Sequence, residues 1–211
     1  MSLLIRHLGF KDYEPVWKQM QSMTSARDSR STDEIWLVQH PPVYTLGLNG
    51  KREHFIKDND IPVITVDRGG QVTYHGPGQA VAYLLCDIER LGLGISDFVL
   101  RLEQSIVDLL ETYHITGHRL AGAPGVYVKN KKIAAMGLRI KHGCSYHGLS
   151  LNVDMDLSPF NDINPCGYPN MQVTQLKDLG INEEIEAVNQ RLIKHLQSNL
   201  GYNPSQTKVI R

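Results

Sequence analysis

Three cysteines, Cys86, Cys144 and Cys166, are the first residues to weigh for chemistry in this 211-residue chain. A thiolate is the strongest nucleophile among the side chains, and it is partly available even at its ordinary pKa of about 8.5. The set is odd in number and has no C-x-x-C spacing, which suits a reducing compartment better than a disulfide framework. Cys86 falls in the apolar run Q-A-V-A-Y-L-L-C-D-I (79–88), on the side of Ala82, Leu84 and Ile88 if strand alternation holds, and reads as a small buried hydrophobe. Cys166 is flanked by Pro165, which stiffens the approach, and Gly167, which lets a substrate or another backbone come close. On local sequence a nucleophile and a plain loop cysteine are equally open.

A partner would decide between them, and Lys132 is the candidate. In an extended 132–140 segment one face carries Lys132, Ala134, Met136, Leu138 and Ile140, so the lysine heads an apolar row. Desolvation there should lower its pKa from about 10.4, and beside a cysteine the two groups would titrate as a pair. The alternative is a lysine that ends a hairpin turn and snorkels into water. His142-Gly-Cys144-Ser-Tyr-His147 offers three metal-ligand types within six residues, but no fourth ligand has recognisable spacing, so the segment reads as a polar turn and no metal site is expected. The run R-G-G-Q-V-T-Y-H-G-P-G (68–78) fits neither the phosphate-binding nor the dinucleotide-binding glycine pattern. Gly69 and Gly70 permit close approach while Thr73, Tyr74 and His75 can bond or wall a ligand, so it reads as a binding loop.

These residues need a scaffold. Apolar spacing predicts one helix from about Asp12 to Met23, with Pro15 in its first turn. A second should follow an N-cap at Ser96 and carry Phe98, Leu102, Ile106, Leu109 and Tyr113. A third should follow Asn182, with Glu183 and Glu184 in its first turn, and stop at Gly201. Gln79–Ile88 reads as a strand covered on both faces, and Leu149–Val153 as an alternating one. Further strands are expected at 35–39, 43–47, 62–66, 125–128 and 132–141, with a turn at Lys129-Asn130-Lys131. Residues 67–79 and 158–170 read as loops. The sum is an α+β or mixed α/β domain, a mixed β-sheet flanked by helices, with residues 1–211 as one unit.

Composition narrows the function. Twenty-two Lys and Arg offset twenty-two Asp and Glu, which leaves no global basic field for nucleic acid. The first residues lack the apolar stretch of a signal peptide, and no segment approaches the about 20 apolar residues of a membrane span, so a cytoplasmic protein with no membrane partner is expected.

Four motifs in order, R-G-G-Q-V-T-Y-H-G-P-G-Q (68–79), K-I-A-A-M-G-L-R (132–139), C-S-Y-H-G-L-S-L-N (144–152) and N-P-C-G (164–167), resemble the octanoyltransferases of lipoate assembly. The likeness spans most of the chain, beginning at Q-H-P-P-V-Y-T-L-G (39–47). It implies the fold of biotin and lipoate protein ligases, and transfer of an octanoyl (or lipoyl) group from acyl carrier protein to a specific lysine of lipoyl domains. Those of 2-oxoacid dehydrogenases and the glycine cleavage H protein are the implied acceptors. Cys166 matches the family's acyl-thioester nucleophile and Lys132 its catalytic lysine. Arg68, Gly69, Gly70, Gln71, Val72, Thr73, Tyr74 and His75, with Ala135, Met136 and Gly137 and with Gly148, Leu149 and Ser150, match its substrate-binding positions. No ATP or other cofactor is implied. A basic rim of Lys129, Lys131, Arg139 and Lys141, with Lys51 and Arg52, is expected to meet the acidic carrier protein. Three other readings compete: an ATP-dependent lipoate or octanoate ligase, a non-catalytic acyl-carrier-binding module, and a Cys-His hydrolase using His75 or His147.

Overall fold

The computed structural model describes residues 2–210 except 58 and 170. Two cores share one central sheet, and the period of two along its strands decides which side chain enters which core. In β6 (Gln79–Leu85), Ala80, Ala82 and Leu84 face one core while Val81, Tyr83 and Leu85 face the other, so every residue is buried. β2 (Asp33–Gln39) divides in the same way, Ile35 and Leu37 against Trp36 and Val38. Helices α2 (Ile95–Glu111) and α3 (Ile185–Leu200) cover the first face with Phe98, Leu102, Ile106, Val188, Leu192 and Leu196. Helix α1 (Tyr13–Ser25) covers the second with Tyr13, Val16 and Met20.

The sheet has eight strands, β11 (Thr207–Ile210), β1 (Leu3–Phe10), β2, β6, β10 (Cys144–Asn152), β9 (Lys131–Lys141), β8 (Ala123–Val128) and β7 (His118–Leu120), in that spatial order. The two pairs made by β1 are parallel and the others antiparallel. A second sheet, β4 (Val63–Thr65), β3 (Val43–Leu46) and β5 (Val72–His75), packs its Tyr44, Leu46, Val72 and Tyr74 with Phe160 and Ile163 from the 158–163 segment. The expected mixed sheet flanked by helices is therefore present. Among the described residues no helix is long and apolar enough to cross a membrane.

Several local expectations are corrected. Helix α2 begins at Ile95 behind Gly94, so Ser96 lies inside it and caps nothing, and Tyr113 falls beyond its end. Helix α3 starts at Ile185, with Glu184 at its N-cap, and ends at Gly201 in the left-handed region. Residues 72–75, read as loop, form β5 because pairing with β3 outweighs the flanking glycines. Residues 144–147, read as part of a polar turn, begin β10, and the turn is His142-Gly143 alone, both at positive φ. The predicted turn at 129–131 is real, with Lys129 and Asn130 left-handed.

Candidate active site

Lys132 and Cys166 meet although 34 residues separate them: the Lys132 Nζ donates to the Cys166 Sγ at 3.1 Å and to the Pro124 carbonyl at 3.0 Å. The lysine is not at the head of the apolar row. β8 and β9 pair Tyr127 with Lys132 but Val126 with Ala134, so Ile133 is an extra residue in β9. This bulge breaks the alternation: Ile133, Ala134, Met136 and Leu138 pack on the α2 and α3 side, and Lys132 turns to the cysteine. Its backbone is fixed by the 172–174 segment, through Lys132 N–H to the Gln172 carbonyl and Thr174 N–H to the Lys132 carbonyl.

Burial presses the Lys132 ammonium toward neutrality, but the Cys166 sulfur and the Tyr127 phenol, whose ring centroid lies 5.2 Å from Nζ, outweigh it and its pKa is raised. The expected downward shift is thereby corrected, because the compensating negative partner is in direct contact. Helix α2 supports this corner through Glu103, a buried carboxylate that accepts from Gly125 N–H at 2.7 Å and pairs with Arg119. It holds the strand whose Pro124 carbonyl receives the lysine.

Cys166 lies on a turn shaped by Pro165, with φ 57 and ψ 16, followed by Gly167 at φ 80. A non-glycine residue in this region costs about 1–2 kcal/mol. Strain of this kind clusters at functional sites, and the turn brings the half-exposed Cys166 to the wall of a cavity. His75 and His147, the rival partners, are instead held by Gln79 and Asp67.

The cavity is a cleft of about 470 Å³ that includes space open to solvent. Of the fourteen sequence-assigned binding positions, Arg68, Gly70, Gln71, Val72, Thr73, His75, Ala135, Met136, Gly137, Gly148, Leu149 and Ser150 line it. Gly69 and Tyr74 do not. Tyr74 points to the other side of β5 and packs against Tyr44 and Phe160. Arg68 is 7% exposed, and its guanidinium donates to the Thr45 hydroxyl and carbonyl and to the Gly69 carbonyl, with no carboxylate partner. Burial lowers its pKa.

Sequence reasoning missed the cavity floor. Tyr13, read only as part of a helix stripe, and Tyr83, read as strand core, line it with His75 and His147. His40 lies behind them: it donates from Nδ1 to the Lys11 carbonyl at 2.7 Å and accepts from the Tyr83 hydroxyl at 2.8 Å. His75 donates from Nδ1 to Gln79 Oε1 and stacks on Tyr13. Burial drives His40 down to about 4 and, with His40 nearby, His75 down to about 3, so both rings are neutral at pH 7. Burial also pushes Tyr13 up to about 12, keeping its hydroxyl protonated. The floor is uncharged although it is built from polar rings.

One carboxylate orders its outer side. Asp67 accepts from Trp17 Nε1 at 2.8 Å, Gln21 Nε2 at 2.9 Å, His147 Nε2 at 3.0 Å and the Tyr146 hydroxyl. Burial would raise its pKa, yet these donors hold it well below the usual carboxylate range. Adjacent strand residues reach one acceptor because His147 is left-handed, φ 58, which sets it on the same face as Tyr146. No group of three or more metal-ligating side chains stands together among the described residues.

The expected basic rim divides. At about 3.3 Å per residue, β9 carries Arg139 and Lys141 some 20–30 Å from Lys132, and Lys141 bonds Ser25 there. Lys131 and the 51–54 segment remain near Cys166, the Asn164 N–H donating to the His54 carbonyl.

The sequence model of the lipoyl protein ligase A/B catalytic domain matches residues 12–197. The chain belongs to that family. It is 58% identical over 196 residues to an octanoyltransferase of Thiobacillus denitrificans, covering 93% of this chain and 90% of that one. It is 54% identical over 201 residues to an octanoyltransferase of Chromobacterium violaceum, with 95% and 97% covered. This kinship makes it an acyltransferase of protein lipoylation. Its fold is that of a bipartite lipoate protein ligase from Thermoplasma acidophilum, with a TM-score of 0.78 at 14% identity over 100% of this chain and 88% of that one. It is also similar to the biotin protein ligase of Aquifex aeolicus, with a TM-score of 0.58 at 13% identity over 95% and 71%.

Proposed function

We propose that the chain, acting as one catalytic unit in the cytoplasm, transfers an octanoyl group from acyl carrier protein to a specific lysine of lipoyl domains through a thioester on Cys166. Apo lipoyl domains of 2-oxoacid dehydrogenases and the glycine cleavage H protein are the acceptors. The observation that carries this reading is the Lys132 Nζ at 3.1 Å from the Cys166 Sγ, at the mouth of a cavity with an uncharged floor.

Lys132, whose pKa is raised by the sulfur and phenol it contacts, enters the reaction as the ammonium. The Cys166 sulfur attacks the thioester carbonyl, a carbon–sulfur bond forms, and the carrier's thiolate leaves with the proton from Lys132. Lys132 is then neutral and takes a proton from the incoming lysine ammonium. That amine attacks the acyl-enzyme, the Cys166 carbon–sulfur bond breaks, and the excess proton passes to solvent. Exchange of a thioester for an amide is downhill, so neither ATP nor another cofactor is needed. The acyl chain lies over the Tyr13 floor beside Val81 and Ala135, with Thr73 and Ser150 near its carbonyl end.

The test is octanoyl transfer from octanoyl-acyl carrier protein to an apo lipoyl domain without ATP. Full activity in wild type and its loss in Cys166→Ala are expected. A Cys166→Ala protein that still modifies the acceptor once octanoate and ATP are supplied would establish the ligase reading instead.

A further inference from the structure

Three histidines beneath the acyl cavity are each fixed in one tautomer by an acceptor on their outer side. His40 donates from Nδ1 to the Lys11 carbonyl, and His147 from Nε2 to the Asp67 carboxylate. His75 donates from Nδ1 to Gln79 Oε1 at 2.7 Å. The Gln79 amide is held in that sense, because its Nε2 donates to the Tyr74 carbonyl and to Asn152 Oδ1, and Asn152 is held in turn by donating to the Thr174 carbonyl. A neutral imidazole has one donor and one acceptor, so each ring keeps its other nitrogen as a bare acceptor.

Two phenol protons meet these three lone pairs. Tyr83 donates to His40 Nε2 at 2.8 Å and Tyr13 to His147 Nδ1 at 3.4 Å. The His75 Nε2 has no partner among the described residues, although the residue is 7% exposed. That nitrogen is not sealed in, and the space against it is the acyl cavity. Turning the Tyr13 hydroxyl elsewhere does not change the count: at least one acceptor on the floor is left for a ligand.

The floor stands at the far end of the cavity from the sulfur. Ser150, paired with Ala135 of β9 and Val81 of β6, borders the narrow recess that holds Lys132 and Cys166, as does Thr73. Gly148, paired with Gly137 and Tyr83, lies two strand residues from Ser150, and His75 two from Thr73, about 7 Å in each case. An acyl chain on Cys166 therefore runs from Thr73 and Ser150 toward His75 and ends at the floor. An alkyl end covers the His75 lone pair without bonding it, which carries the cost of a buried unpaired acceptor. A hydroxyl on the last carbon donates to it.

We propose that this site takes, besides a plain octanoyl group, medium-chain acyl groups that carry a hydroxyl at their far end, with the hydroxyl donating to His75 Nε2. The inference rests on the acylation of Cys166 from a carrier thioester proposed above. Only the chain end differs: the sulfur attacks the same carbonyl, and the carrier's thiolate leaves with the Lys132 proton as before.

The test loads acyl carrier protein with 8-hydroxyoctanoyl or 8-fluorooctanoyl groups, which are nearly equal in size, and measures the rate at which Cys166 of the full chain gains each at equal, subsaturating concentration. Fluorine has no proton to donate. An apolar floor favours the fluoro chain, since a hydroxyl is harder to strip of water, whereas an acceptor floor reverses the order. The hydroxy chain should be faster by about tenfold in wild type. His75→Phe, which keeps an aromatic ring against Tyr13, should abolish or invert that preference, with thermal midpoints measured for both proteins. Equal rates in wild type, a faster fluoro chain, or a preference that survives in His75→Phe overturns the proposal. The wild-type comparison decides by itself if the variant proves unstable. Failure of the underlying reading is distinct: octanoyl-acyl carrier protein would then leave no octanoyl group on Cys166 at all.

Discussion

Acid should unfold this protein through the histidines beneath its cavity. His75 and His40 have folded-state values near 3 and 4 against an ordinary 6.5, both lowered first by burial. Between those values and 6.5 the unfolded chain binds more protons than the folded one, so stability is complete above about pH 6.5 and falls as the pH drops, levelling only below the folded values. At about pH 4.5 each ring contributes a loss of roughly 2–3 kcal/mol, so the two together cost about 5 kcal/mol, comparable to the whole stability of many domains. His147 is shifted in the same direction by burial. Carboxylates add little in this window, because Asp67 is held well below the usual range and its ordinary value is already lower than pH 4.5. With a urea m value of about 2.5 kcal/mol per molar, the unfolding midpoint should fall by about 2 M between pH 7.5 and 4.5. His75→Gln and His40→Gln should each remove part of that fall. A wild-type midpoint that does not move, or variants that keep the full drop, would mean that these rings are solvated in the folded protein and that the uncharged floor is wrong.

Lys132→Ala should lower the turnover of octanoyl transfer by about 10²–10⁴, the usual weight of a general acid–base, while circular dichroism stays as in wild type; a loss under tenfold would remove Lys132 from the proton path. Gly148→Ala should destabilise by about 2–3 kcal/mol in denaturant unfolding, because its Cβ would run into the Ala82 carbonyl of β6 and lie 2.8 Å from Leu84 Cδ1. Wild-type stability there would refute the tight β6–β10 contact. Asp67→Asn should cost about 1–3 kcal/mol, since an amide turns a donor toward groups that themselves donate; an unchanged midpoint would show that the four bonds are replaced by water.

How much was legible in the sequence depended on the range of the forces involved. The buried run 79–85 announced a strand covered on two faces because its unbroken apolar character is local, and the same holds for the turn at 129–130 and the stop at Gly201. The R-G-G loop and the Cys166 turn were found from glycine and proline chemistry, and the resemblance supplied their roles. What escaped was set by pairing between distant segments. β5 exists because β3 lies beside it, and Ile133 bulges because of its register with β8, which reversed the face on which Lys132 stands. The pKa of Lys132 could not be given the right sign from burial alone, since Cys166 lies 34 residues away. Tyr13, His40, Tyr83 and Asp67 come from α1, the segment after β2, β6 and the segment before the R-G-G loop, and no local pattern joins them. The isolated polar residues inside apolar stripes, Tyr13 and Glu103 among them, were the available signal.

The central claim is a covalent octanoyl group on Cys166, and intact-protein mass spectrometry tests it most directly. The protein is mixed with octanoyl-acyl carrier protein without ATP, digested to locate the adduct, and then exposed to an apo lipoyl domain. The account predicts one octanoyl mass on wild type, mapped to Cys166, lost on addition of the acceptor and absent from Cys166→Ala. No adduct on wild type while the acceptor is nonetheless modified, or an adduct at another residue, would contradict it.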